Sequence, residues 1–259
     1  MIDYLWEPAI LLKQALRRQP AISFVHYRYS AFAGDQTPAK PNIITLNVAY
    51  MYLNNLVGWN RAEPESFWGE IAPCEHVVQI YEHDAVFLDT LASFVCGGIM
   101  AGDCVIVIAT DAHLLALVER LKKAGIDVDA AMADDQFIPL DAEVLLSKFL
   151  VDGWPNEVLF MKTVSRLLER ATQRNRRVRA FGEMVAVLWA QGHFGATVNL
   201  EYLWNKFCAN TAMSLFCAYP KSGFTTDISA SIHGICNCHS KVIDGSRTGF
   251  KELFYKKVM

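Results

Sequence analysis

A chain of 259 residues, 53% hydrophobic and 20% charged, has material for one large α/β core and is too apolar for disorder. A formal net charge of −3 supplies no electrostatic footprint for nucleic acid and no basic patch for a membrane surface. Seven cysteines, odd in number and without a disulfide-like framework, suit a reducing cytoplasm. No run reaches the ~18 apolar residues of a membrane span, and the N-terminus does not read as a signal peptide.

Residues 1–70 read as an N-terminal appendage. Asp3 can cap a helix through Arg18, and Ala21 to Phe32 is aromatic enough for a strand. Gly34 to Asn42, with two prolines, is a loop, and Ile43 to Trp59 is ambiguous between helix and strand. Six basic and six acidic side chains balance in this segment, which argues against a DNA-binding arm and for packing or self-association. Glu63-Pro64-Glu65 is the natural boundary. A main domain over 71–245 and a tail over 246–259 follow.

The main domain is organised around a strand, a helix and a strand. His76 to Tyr81 is a short apolar run rich in β-branched residues. Phe87, Leu88, Leu91, Phe94 and Val95 recur at helical spacing, and Cys104 to Ala109 is again wholly apolar. Strands buried on both faces belong to a parallel sheet. Beyond them the chain predicts a helix from His113 to Ala124, a strand over Phe137 to Leu140 and a helix capped by Asp141 through Leu150. A long helix over Asn156 to Gln173 leads to a strand at Val178 to Gly182. Helices from Glu183 and over Ala196 to Cys208, a strand over Met213 to Tyr219 and a helix over Asp227 to Ser240 complete it. This alternation predicts an α/β fold, a mostly parallel sheet with helices on both faces.

In such sheets ligands sit beyond the carboxyl ends of the strands, which points to Tyr81-Glu82-His83-Asp84 and to Thr110 through His113. A phosphate-binding loop is missing there. Glu82 to Phe87 holds neither the glycines that let backbone N–H groups approach phosphate nor the lysine that reaches it. Arg179, Phe181 and Glu183 share one strand face. A buried Arg179 requires a partner, while Glu183 at the strand's end is a site candidate. Glu201, Trp204 and Asn205, at i, i+3 and i+4, predict a polar network on one helix face, structural or ligand-binding. His233, Cys236, Cys238 and His239 are weak metal candidates, because two cysteines separated by one helical residue diverge. No cofactor is expected.

Several ordered motifs together resemble the MEDS domain, the methanogen/methylotroph sensory domain of the dichloromethane regulator DcmR. They are HVVQIYE at His76, VIVIAT at Val105, the run from Val178 to Gly192, LEYLWN at Leu200, CAYP at Cys217 and IC-x-x-HS at Ile235. The resemblance spans Cys74 to Val242 and implies a RecA/KaiC-like layout that has lost its phosphate loop. It also implies a non-enzymatic sensor of prokaryotic signal transduction or transcription regulation, binding one-carbon or simple hydrocarbon derivatives. Motif positions carried over as ligand-binding candidates are His76, Tyr81, Glu82, His113, Arg179, Glu183, Glu201, Trp204 and Asn205; Thr110 joins them by position. A signalling protein or a second copy is the implied partner. The alternatives are a residual nucleotide-binding or hydrolytic enzyme and a protein–protein scaffold.

Overall fold

The computed structural model describes Trp59–Ala62, Trp68, 71–72, 74–223, Ile235, 237–247 and 250–256. The elements expected over residues 3–42, and most of 43–59, lie outside the described residues.

Ten strands are described: β1 Trp59–Ala62, β2 His76–Tyr81, β3 Cys104–Ala109, β4 Phe137–Asp141, β5 Leu150–Val151, β6 Trp154–Pro155, β7 Val178–Gly182, β8 Met213–Pro220, β9 Lys241–Arg247 and β10 Phe250–Lys256. The longer helices are α1 Asp84–Met100, α2 Asp111–Lys123, α3 Val128–Ala133, α4 Ala142–Leu146, α5 Glu157–Thr172, α6 Met184–Ala190 and α7 Phe194–Ala209. The main sheet runs β1-β10-β9-β2-β8-β7-β3-β4. From β9 to β4 neighbouring strands are parallel, and β10 and β1 continue one edge antiparallel. The parallel α/β sheet expected from the alternation is therefore the observed fold, and all five of its predicted strands are present.

Side-chain alternation explains the layers. On β7 and β8, Phe181 and Phe216 lie opposite each other and face α1, where Phe94 meets Phe216 at 5.4 Å between ring centres. Cys217 and Tyr219 face the other way, toward α7. Phe160 of α5 packs edge-on to Trp204 of α7 at 5.0 Å, so α5 and α7 share that second face. Both faces are covered, as the unbroken burial of β2, β3 and β7 requires.

Three elements differ from the sequence reading. The helix after Asp141 stops at Leu146, and a hairpin of β5 and β6 follows. Its two-residue turn, Asp152-Gly153, has φ of 50° and 79°, the left-handed geometry that a tight hairpin demands and a helix forbids. Of the helix expected over 227–240, Ile235, Asn237 and Cys238 are helical and His239 has already left it. Finally β9 and β10 occupy residues that read as domain end and tail.

Arg179 lies near the amino end of β7. Its Nε donates to Asp103 at 2.9 Å, its Nη2 contacts the same carboxylate, and Nη1 donates to the Trp68 carbonyl at 2.9 Å. Both ionic side chains are buried. Removing one member of such a pair costs about 3–5 kcal/mol, so the arginine's partner is structural. Arg179 and Asp103 thus sit at the edge of the sheet opposite the strands' carboxyl ends.

Candidate functional site at the carboxyl edge

β3 and β7 are parallel neighbours, so Thr110 and Glu183 emerge side by side where these strands end. The Thr110 backbone N–H donates to Glu183 Oε2 at 2.9 Å, and its hydroxyl lies 3.4 Å from the same oxygen. His113, one turn into α2, donates from Nδ1 to Glu183 Oε1 at 2.7 Å. The carboxylate accepts from these three groups, and among the described residues the first turn of α6 has no side-chain cap. Burial pulls the His113 pKa down, but the Glu183 hydrogen bond, the Glu183 charge and Asp84 outweigh it, leaving a net rise. The imidazole is therefore biased toward its charged form.

Aromatic rings line the adjacent ground. Tyr81 stacks on Phe87 with ring centres 4.8 Å apart, and Phe87 meets His113 edge-on at 5.1 Å and Phe181 at 5.5 Å. Glu82 turns away to pair with Lys221 at 2.7 Å. On the far side, burial, the Asp141 charge and a hydrogen bond to Asp141 raise the Asp111 pKa. Asp84, Asp111, Asp141 and Glu183 make this edge acidic where a nucleotide's phosphates would need positive charge.

The positions expected from the sequence thus divide into groups. Thr110, His113 and Glu183 converge, and Tyr81 joins them through Phe87. Glu82 is a neighbour engaged by Lys221, and Arg179 belongs to the opposite edge. Glu201 and Trp204 are buried beneath the sheet, whereas Asn205 is exposed. At about 100° per residue, the buried arc of α7 runs from Glu201 toward Trp204, and i+4 falls just outside it. His233 and Cys236 lie outside the described residues. Cys238 contributes its backbone carbonyl to His76 Nδ1 at 3.2 Å.

A second group gathers on the α7 face of the sheet. It comprises His76 at the start of β2, Cys217 in β8, Glu201 on α7 and His239 just before β9, all buried. The Tyr219 hydroxyl donates to Glu201 Oε1 at 2.5 Å. Sequence reading found Glu201 and His239 separately and carried His76 over by resemblance. It missed Cys217 as a member, since each residue comes from a different element and no local spacing marks the set.

The model of the family described as MEthanogen/methylotroph, DcmR Sensory domain matches residues 75–240. The chain belongs to the MEDS family. It therefore carries a sensory domain of a signalling family, as the motifs implied. No curated protein matches it by sequence. Among solved structures it is similar to the KaiC-like protein PH0186 of Pyrococcus horikoshii OT3, at 12% identity and TM-score 0.48, covering 70% of this chain and 77% of that one. It is also similar to the flagellar accessory protein FlaH of Methanocaldococcus jannaschii, at 9% identity and TM-score 0.44, covering 67% and 72%. Among the described residues of this MEDS chain, no helix is long and apolar enough to cross a membrane.

Proposed function

We propose that this MEDS chain is a non-enzymatic sensor that binds a small hydroxylated or cationic organic molecule, of the one-carbon or simple hydrocarbon derivative class, and signals to a partner. The binding place is the carboxyl edge. The observation that carries the reading is the Glu183 carboxylate, fixed by Thr110 and His113 beside the Tyr81–Phe87–Phe181 rings. A carboxylate accepts from an alcohol or ammonium group, and aromatic walls hold the short apolar remainder. The same acidity, with no glycine or lysine between Glu82 and Phe87, disfavours a nucleotide.

The test is a thermal-shift series on the full chain with methanol, methylamine, longer alcohols and amines, and ATP with Mg2+. A ligand at a hundred times its Kd adds about 2.7 kcal/mol of stability. At least one alcohol or amine is expected to raise the midpoint saturably, with the rise lost in Glu183→Gln relative to that variant's own apo midpoint. ATP is expected to give neither a shift nor phosphate release. Phosphate release above a buffer control, abolished by Glu183→Gln, would establish the hydrolase alternative instead.

A further inference from the structure

We infer that His76, Glu201, Cys217 and His239 form a four-ligand site for a divalent transition-metal ion of the zinc class, separate from the carboxyl edge. Their ligand atoms, two imidazole nitrogens, a carboxylate oxygen and a thiol sulfur, all lie within 4.8 Å of one another. His76 Nε2 is 3.5 Å from Glu201 Oε2 and 3.4 Å from Cys217 Sγ, and His239 Nε2 is 3.6 Å from the same Glu201 oxygen. Tetrahedral zinc with bonds of ~2.0–2.3 Å separates its ligand atoms by about 3.3–3.7 Å, and these three separations fall in that range.

A shared proton explains the spacings less well. The Cys217 thiol reaches His76 Nε2, but 3.5 and 3.6 Å are too long for hydrogen bonds between nitrogen and a carboxyl oxygen. Among the described residues, Glu201 Oε2 and His239 Nε2 are accordingly buried with no hydrogen-bond partner. Orphaned buried polar atoms are costly, and here two of them aim at one another across an ion-sized gap.

The outer nitrogens point to the same occupant. His239 Nδ1 lies 2.6 Å from the Ile235 carbonyl and His76 Nδ1 3.2 Å from the Cys238 carbonyl. Only a protonated Nδ1 can donate to a carbonyl, so each neutral ring presents its Nε2 lone pair inward, the arrangement typical of metal-bound histidine. Tyr219 holds the other Glu201 oxygen, fixing the carboxylate. A thiolate and a carboxylate would balance a dication, and nitrogen, oxygen and sulfur together suit zinc better than a hard cation. With four protein ligands the site is closed, and it fastens the segment entering β9 to β2, β8 and α7.

Burial raises the Glu201 pKa to about 8, with the Tyr219 hydrogen bond opposing, and lowers that of His239 to about 4, with the Ile235 carbonyl opposing. Zinc binds the deprotonated carboxyl and thiol groups, so metal binding should release protons.

The test uses the full chain stripped by chelator and titrated with Co2+, then with Zn2+. The expected result is about one ion per chain, intense visible bands of tetrahedral cobalt and a near-ultraviolet sulfur-to-cobalt band, all displaced by Zn2+. Cys217→Ser, close to the thiol in size, should lose the sulfur band. His239→Gln should weaken Zn2+ binding beyond the ~10–100-fold that loss of an outer partner costs. Far-ultraviolet circular dichroism checks that each variant folds. Absence of these bands in the wild-type chain would overturn the proposal, whatever the variants do. So would cobalt binding that persists unchanged in both folded variants, because the ion would then sit elsewhere.

Discussion

At the scale of single residues, His113 and Glu183 form a pair whose strength depends on protonation. The folded-state pKa of His113 is raised above its ordinary value, so the pair's stabilisation is complete below the unfolded pKa, about 6.5. It is lost as pH rises through the folded pKa. In urea melts, the stability difference between wild type and His113→Gln is expected to be largest near pH ~6 and to shrink toward pH ~9. A difference that stays constant over that range would mean the imidazole contributes as a neutral donor. Glu183 was legible in the sequence because a carboxylate at a buried strand's end has few roles. Arg179's need for a partner was legible too, but Asp103 was not, because nothing local joins a residue of β7 to one just ahead of β3, from a different part of the chain.

Among the elements, the contact of α1 with the sheet is set by Gly98. A methyl group there would stand 2.5 Å from Val105 Cγ2 and 2.8 Å from Arg179 Cδ. Val105 is fully buried, and Arg179 is tied to Asp103, so neither yields easily. Gly98→Ala is expected to destabilise by about 1–3 kcal/mol in urea unfolding, although alanine favours helices by about 1 kcal/mol over glycine. Adding Val105→Ala should recover part of the difference between glycine and alanine at 98. A Gly98→Ala chain as stable as wild type would refute the close approach. This helix and the five predicted strands were readable because their apolar patterns are long and periodic. β9 was not, since Lys241-Val242-Ile243-Asp244-Gly245 has only two successive apolar residues. Pairing with β2 makes that segment a strand, and a single sequence does not display pairing partners.

Over the whole molecule, the order in which strands pair differs sharply from the order in which they occur. β2 opens the described core, yet His76 lies opposite Leu215 and Val77 opposite Lys241, so both of its neighbours come from the far end of the domain. During synthesis, β2 therefore waits with two unsatisfied edges until β8 and β9 have left the ribosome. Such distant pairings slow folding, because a long loop must close before any contact rewards it. Open apolar edges meanwhile invite association with other chains. A chain ending at Asn210, which retains every longer helix of the core, is expected to aggregate or to melt without cooperativity. A soluble truncated chain with a sharp unfolding transition would show that the earlier elements fold by themselves. The arrangement makes completion of the sheet a late event, so nascent chains need protection from one another until their last strands arrive.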